Sequence, residues 1–330
     1  MNIAFFSTKS YDKEYFNKVR AKYRHEILYF DTALNAKTAN LAQGCNAVCV
    51  FVNDKIDEET IRILAKINVK AILLRCAGYN NVDITAAQKQ GIKVLRVPAY
   101  SPEAVAEHAL ALMLTLNRKT HKAFNRVREN NFSIEHLVGF NLHGKTIGVV
   151  GTGLIGTAFA RIMSGFGCKV LAYDVQENAE LKKNGVIYTS FDDLIQQSDV
   201  ISLHCPLIPE TQYLINQTAI EKMKNGVMII NTSRGGLIHS ADIIEGLKTG
   251  KVGYLGIDVY EQDADIFFQD LSESVLKDET ITRLMRLRIV LITGQQGIFT
   301  REALEQIAHV TLENLTALQN GNELLNEVKG

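Results

Sequence analysis

The chain has 330 residues, 46% of them hydrophobic, and its 36 lysines and arginines balance 36 aspartates and glutamates. That length supports two domains with separate cores, and a balanced charge without a basic block argues against nucleic acid as a partner. The five cysteines (45, 49, 76, 168 and 205) form no C-x-x-C pair. This points to a reducing, cytoplasmic setting, and no metal-binding set is read.

The opening Met1-Asn-Ile-Ala-Phe-Phe6 reads as the first strand of a domain, since it lacks the charged and long apolar regions of a signal peptide. With residues 3–6, strand-like runs fall at 27–30, 47–51, 71–74 and 92–95, and helical patterns such as 58–67 and 84–90 lie between them. Such alternation predicts a parallel sheet covered by helices. At Val97-Pro-Ala-Tyr-Ser-Pro-Glu103, Pro98 breaks the strand, Ser101 is a good N-cap and Pro102 suits the first helical position. The chain is expected to cross there into a second domain. It enters on an apolar helix over 104–116, too short to span a bilayer.

Six apolar runs follow, at 147–150, 169–173, 200–203, 227–230, 254–257 and 289–292. The first leads into G-x-G-x-x-G at Gly151, Gly153 and Gly156, with a helical pattern behind it. The second ends on Asp174. Gly151 permits a tight turn, Gly153 lets a pyrophosphate approach the backbone, and Gly156 allows strand and helix to pack closely; the helix offers free N–H groups to phosphates. Asp174 suits the adenosine ribose hydroxyls, and its charge repels a 2′-phosphate. No lysine or arginine follows in Val175-Gln-Glu-Asn178, so NAD is favoured over NADP.

The later runs end on His204-Cys-Pro206, Thr232-Ser-Arg-Gly-Gly236, Asp258 and Thr293-Gly-Gln-Gln296. Ligands of doubly wound sheets bind beyond the carboxyl ends of the strands, and the reactive side chains gather at that edge. Arg234 can grip a carboxylate bidentately and polarise a neighbouring carbonyl; the plainer reading is a surface arginine. His204 reads as structural. Cys205 reads as a small apolar wall for a cofactor ring, since no base accompanies it. A last helical pattern over 301–320 carries its apolar face on Leu304, Ile307, Ala308, Thr311, Leu312 and Leu315. It is expected to return to the first domain. The predicted architecture is α/β: a Rossmann NAD domain (100–299) inserted into a flavodoxin-like substrate domain (1–99 and 300–330), both with doubly wound parallel sheets. The active site is expected in the cleft between them.

Long strings across the chain resemble the D-2-hydroxyacid dehydrogenase family, and in particular its D-lactate dehydrogenase branch. They are Arg75-Cys-Ala-Gly-Tyr-Asn-Asn-Val-Asp83, residues 97–108, the glycine fingerprint, Ser202-Leu-His-Cys-Pro206, residues 231–238 and Gly256-Ile-Asp-Val-Tyr-Glu261; residues 267–273 resemble the lactate branch. The resemblance implies reversible hydride transfer between NADH and a 2-oxo acid such as pyruvate. It implies that Arg234 binds the substrate with Tyr100 and the backbone amides of Ala77 and Gly78. Cys205, Pro206, Thr232, Ser233, Arg234 and Asp258 would contact the nicotinamide, Leu154 and Ile155 would lie along the pyrophosphate, and Thr211 joins the cofactor set. It also implies a dimer or tetramer paired through the nucleotide domain, for which the apolar helix 104–116 is a suitable surface. Phe51, Val52, Ile298 and Phe299 are expected to shape the side-chain end of the pocket and to favour a small substrate.

One departure stands out. The family's last strand ends on Gly-His-Gln, whose histidine protonates the new alkoxide, and here the string is Gly294-Gln-Gln296. The acid position is Gln295, and the glutamate that pairs with the histidine corresponds to Asp263. Glutamine has no proton to give near pH 7, and losing a positioned acid costs roughly 10²–10⁴-fold in rate. Three readings follow: a dehydrogenase slowed by the loss or using water or another donor, an NAD and 2-oxo-acid binding homologue that senses or regulates, or an altered sequence in which the acid was replaced.

Overall fold

A computed structural model of the chain describes residues 1–262 and 266–329. It divides into two compact units, Met1–Ser101 with Ile298–Gly330, and Pro102–Gly297.

The first unit is a five-stranded sheet of β1 (Asn2–Phe5), β2 (Glu26–Tyr29), β3 (Ala47–Val50), β4 (Ala71–Leu74) and β5 (Lys93–Arg96), in the order β2-β1-β3-β4-β5. All its ladders are parallel. Side chains alternate across a strand, so Ile3 and Phe5 enter one apolar layer while Ala4 and Phe6 enter the other. Helices α1 (Ser10–Val19), α2 (Glu58–Lys66) and α3 (Ile84–Lys89) connect the strands, and the Asp57 and Asp83 carboxylates cap α2 and α3 by accepting from Thr60 N and Ala86 N. Ile307, Ala308, Leu312 and Leu315, from the chain's last helix, share the layer of Ile3 and Phe5.

The second unit opens with α4 (Pro102–Arg118) and α5 (Thr120–Arg128). The face of α4 that carries Ala106, Ala109, Leu112, Met113 and Leu116 joins the unit's own core. The helix expected to supply a pairing surface is therefore largely spent inside its own domain. The exposed apolar side chains lie just beyond it, at Phe124, Val127, Phe132, Ile134 and Val138.

The sheet of this unit has seven parallel strands where six were expected. They are β6 (Thr146–Val150), β7 (Lys169–Tyr173), β8 (Ile187–Tyr188), β9 (Val200–Leu203), β10 (Val227–Asn231), β11 (Val252–Ile257) and β12 (Val290–Ile292), ordered β12-β11-β10-β9-β6-β7-β8. The extra strand, β8, is only two residues long and leaves no periodic signal. Between strands run α6 (Leu154–Gly165), α7 (Ala179–Lys183), α8 (Phe191–Gln197), α9 (Gln217–Lys222), α10 (Ser240–Lys248) and α11 (Glu279–Arg286). The strand order reverses at β6, between β7 and β9, which sets a topological switch point at the end of β6.

Helix α12 (Arg301–Asn320) closes the chain on the first unit. It packs against α1, β4 and β5, is capped by Thr300 Oγ1, and stops at Gly321 with φ 68°. No helix among the described residues is long and apolar enough to cross a membrane.

Candidate active site

At the switch point β6 turns into α6 through the three glycines, which do different jobs. Gly151 has φ +91°, and a Cβ there would stand 2.6 Å from the Cys205 amide nitrogen. A Cβ on Gly156 would overlap the Gly151 carbonyl oxygen. A Cβ on Gly153 would meet nothing within 4 Å. The first two are small because the protein packs against them; Gly153 faces open space. Gly153 is also the N-cap of α6 and supplies no side-chain cap, so the N–H groups of the first turn have no side-chain acceptor there.

Asp174, one residue past β7, reaches back to this turn. Its Oδ2 accepts from the Thr152 amide and, at 3.2 Å, from Thr152 Oγ1, while its Oδ1 accepts from Gln176 N. Tyr188 of β8 donates to Thr152 Oγ1 at 2.8 Å. The short missed strand thus steadies the residue between two of the glycines. Leu154, 67% exposed, and Ile155 open the helix.

Beneath the turn lies His204. Its Nε2 is 2.8 Å from Ser202 Oγ, its ring tilts against Phe159, and Nδ1 is buried without a partner. Burial pushes its pKa down to about 3, so it is neutral at physiological pH. Burial likewise pushes the Cys205 thiol up to about 11, which makes it a poor nucleophile. Thr211 Oγ1 donates to the Pro206 carbonyl and accepts from Ile208 N, closing the loop after β9.

The loop after β10 is held from several sides. Asn231 accepts from Ser233 N and donates to the Arg234 carbonyl, and Ser233 Oγ donates to the Cys205 carbonyl at 2.7 Å. A Cβ on Gly235 would overlap the Tyr260 carbonyl, so only glycine lets this loop lie against the segment after β11. The Arg234 side chain is exposed, with Nη1 donating to the Ser233 carbonyl. Thr232 Oγ1 is buried and has no partner.

The loop after β12 is organised by one carboxylate. Asp258 is 4% exposed; its Oδ1 accepts from Gln296 N at 2.8 Å and from Thr293 Oγ1 at 2.5 Å, and its Oδ2 accepts from Gly297 N at 2.8 Å. Gln295 donates its amide to the Asp258 carbonyl and sits at φ 54°, a left-handed conformation uncommon for a side-chain-bearing residue. A further imidazole reaches this carboxylate from α4. His108 Nε2 is 3.0 Å from Thr293 Oγ1 and 3.3 Å from Asp258 Oδ1. The sequence alone assigned His108 no role. The pair 108 and 293 is 185 residues apart, and the only cue was that His108 closes the string at 97–108. Asp263 lies outside the described residues. Its neighbour Glu261 is engaged elsewhere, accepting from Tyr213 Oη and from Ser240 Oγ.

In the first unit, the loops after β3 and β4 are tied to each other. Asn81 Nδ2 donates to the carbonyls of Phe51 and Asp54, and the buried Asp54 carboxylate accepts from Phe51 N, Leu34 N and Ser7 Oγ. The Ala77 carbonyl accepts from Arg96 Nη1 at 2.9 Å, and the Gly78 carbonyl accepts from the Cys76 thiol. Tyr100 packs on the layer under α12, and Phe299 meets Tyr11 edge-on with ring centroids 4.8 Å apart.

A dinucleotide meets complementary features in the second unit: open space over Gly153, helix N–H groups without a side-chain acceptor, a carboxylate at the end of β7 and an orphaned hydroxyl on Thr232. Among the described residues no group of three His, Cys, Asp or Glu side chains could hold a metal ion. A doubly wound sheet with this turn, this acid and an arginine at the same edge defines the class of NAD-dependent dehydrogenases. Within that class, the chain belongs to the D-isomer specific 2-hydroxyacid dehydrogenase family, whose NAD-binding domain it matches over residues 110–294. It is 52% identical to the D-lactate dehydrogenase of Escherichia coli over 328 residues, 99% of this chain and all of the relative. The apo-structure of the E. coli D-lactate dehydrogenase superposes with a TM-score of 0.92 over 99% of this chain and 100% of that one. A structure of the pyruvate reductase of Chlamydomonas reinhardtii, 42% identical, gives 0.94 over 99% and 98%. A D-lactate dehydrogenase of Lactobacillus jensenii, solved with NAD+ and 31% identical, gives 0.86 over the full length of both.

Proposed function

We propose that the chain reduces a small 2-oxo acid with NADH, with pyruvate and D-lactate as the substrate pair. The observation that carries this reading is the end-to-end similarity to the E. coli D-lactate dehydrogenase, combined with an exposed guanidinium at the edge where the dinucleotide turn lies. NADH, when bound, supplies the hydride. Gly151, Gly153 and Gly156, with Leu154 and Ile155, hold the pyrophosphate, and Asp174 accepts from the ribose hydroxyls. Cys205, Pro206, Thr232, Ser233, Arg234 and Asp258 form the nicotinamide side, and Thr211 joins the cofactor set. Arg234 grips the substrate carboxylate and stabilises the charge that develops on the carbonyl oxygen. The amides of Ala77 and Gly78, with Tyr100, are assigned to the same substrate.

The proton half of the reaction is the weak half. Gln295 hydrogen-bonds an oxygen but carries no transferable proton, so solvent is the donor and turnover is slow; Asp263 has no imidazole to polarise. The test is NADH oxidation with pyruvate by this chain and by Gln295→His, followed at 340 nm. The histidine variant is expected to raise kcat by about 10²–10⁴-fold. Equal rates would remove the argument for a missing acid. NADH binding without turnover by either protein would favour a sensing or regulatory role.

We also infer a cytoplasmic location, from five cysteines that are odd in number and form no C-x-x-C pair. Pairing of two copies through the nucleotide domain, on the apolar side chains after α4, completes the proposal.

A further inference from the structure

The Asp258 carboxylate already accepts from Thr293 Oγ1 and from the amides of Gln296 and Gly297. Because the Thr293 hydroxyl gives its proton to Asp258, that oxygen can only accept from His108. Nε2 of His108, 3.0 Å away, must therefore carry the hydrogen. The imidazole lies against the turn as well: a Cβ on Gly297 would stand 3.4 Å from its Cδ2. His108 thus reaches the carboxylate through the hydroxyl: its one Nε2 hydrogen goes to Thr293 Oγ1, which gives its own to Asp258.

We propose that His108 is a positioning residue for the turn at 293–297, holding Gln295 in its left-handed conformation through Thr293 and Asp258. The imidazole takes no part in the chemistry. It orients the hydroxyl, the hydroxyl and carboxylate fix the two amides beyond Gln295, and those amides fix where side chain 295 points. Left without the imidazole, Thr293 Oγ1 is free to rotate away and Asp258 loses a donor. The functional consequence rests on the assignment of position 295 to the reacting edge; the structural one does not.

Two readouts separate them. Amide hydrogen exchange at Gln296 and Gly297 reads the turn directly in the cofactor-free protein. The Michaelis parameters for pyruvate, in the Gln295→His background where turnover is fast, read its effect on position 295. His108→Leu is expected to speed exchange at both amides and to lower kcat on the order of 10- to 10²-fold while the NADH Kd stays within about threefold. His108→Gln, whose Nε2–H can donate from nearly the same point, restores both. Should His108→Leu fold poorly, Thr293→Val removes the middle of the relay and is expected to show the same pattern. Unchanged exchange at Gln296 and Gly297 in both variants overturns the proposal, as does a leucine variant that loses NADH affinity in step with kcat. Faster exchange with unchanged kcat upholds the positioning and sinks the assignment of position 295.

Discussion

At the scale of single residues, charge state is set by what surrounds each group, and His204 gives the sharpest case. Its pKa is about 3 in the folded chain because burial disfavours the imidazolium, against an ordinary value of 6.5. Below pH 6.5 the unfolded chain binds a proton that the folded chain refuses until near pH 3. The stability this group contributes is therefore complete above 6.5 and lost as the pH falls toward 3. By pH 5 the loss is about 2 kcal/mol. His204→Gln keeps a donor near Ser202 and does not titrate. Urea unfolding at pH 7.5 and pH 5 is expected to show the unmodified chain losing about 2 kcal/mol more than the variant over that interval. Equal losses would mean that the imidazole is solvated in the native state. Much of this was legible beforehand, since a histidine after a buried strand reads as structural. So did the chemical gap at Gln295, because an amide in place of an imidazole needs no coordinates to interpret. His108 did not, because its partners Thr293 and Asp258 follow different strands, and only the sheet order brings them beside α4.

At the scale of elements, strands and helices followed from periodicity, and their ends from breakers and caps. Strand β7 and helix α12 fell where the pattern placed them, while β8, at two residues, had no pattern to read. The glycine turn shows what a motif leaves unsaid. G-x-G-x-x-G names three positions, and only the packing around them distinguishes their jobs. Gly153→Ala adds a methyl to open space at an N-cap with ordinary backbone geometry, so the folded chain should lose less than about 1 kcal/mol. If the pyrophosphate occupies that space, the NADH Kd rises at least about tenfold, or about 1.4 kcal/mol. Gly156→Ala puts the same methyl onto the Gly151 carbonyl and should cost several kcal/mol of stability, on the order of the larger overpacking penalties. Thermal unfolding and NADH fluorescence titration of the two variants check the contrast. A Gly153 variant that binds NADH normally would displace the pyrophosphate from this turn.

At the scale of the whole molecule, the inserted order of the units explains why the nucleotide turn lies mid-chain, and it raises the question of what covers the exposed apolar side chains of the second unit. Phe132, Ile134 and Val138 are 71%, 82% and 81% exposed, and Phe124 and Val127 on α5 extend the same stretch of chain. Isolated exposed hydrophobics are ordinary, but five within fifteen residues exceed what a solitary surface usually carries. Helix α4 cannot be the answer alone, because its main apolar face is buried against the unit's own sheet and α6. In the proposed pair, a second copy of the chain would present an apolar surface in the same place, and a twofold arrangement would set the patch against its counterpart. Such a pair needs on the order of 1,600 Å² of buried surface, so the residues near the centre should dominate the energy. Light scattering on the unmodified chain at micromolar concentration is expected to give at least twice the mass of one chain. Ile134→Asp combined with Val138→Asp should reduce that mass to one chain while leaving the NADH Kd within about threefold, since neither side chain belongs to the nucleotide edge. A single-chain mass before any substitution would rule out the pair. A larger mass that survives both aspartates would move the interface elsewhere on the molecule.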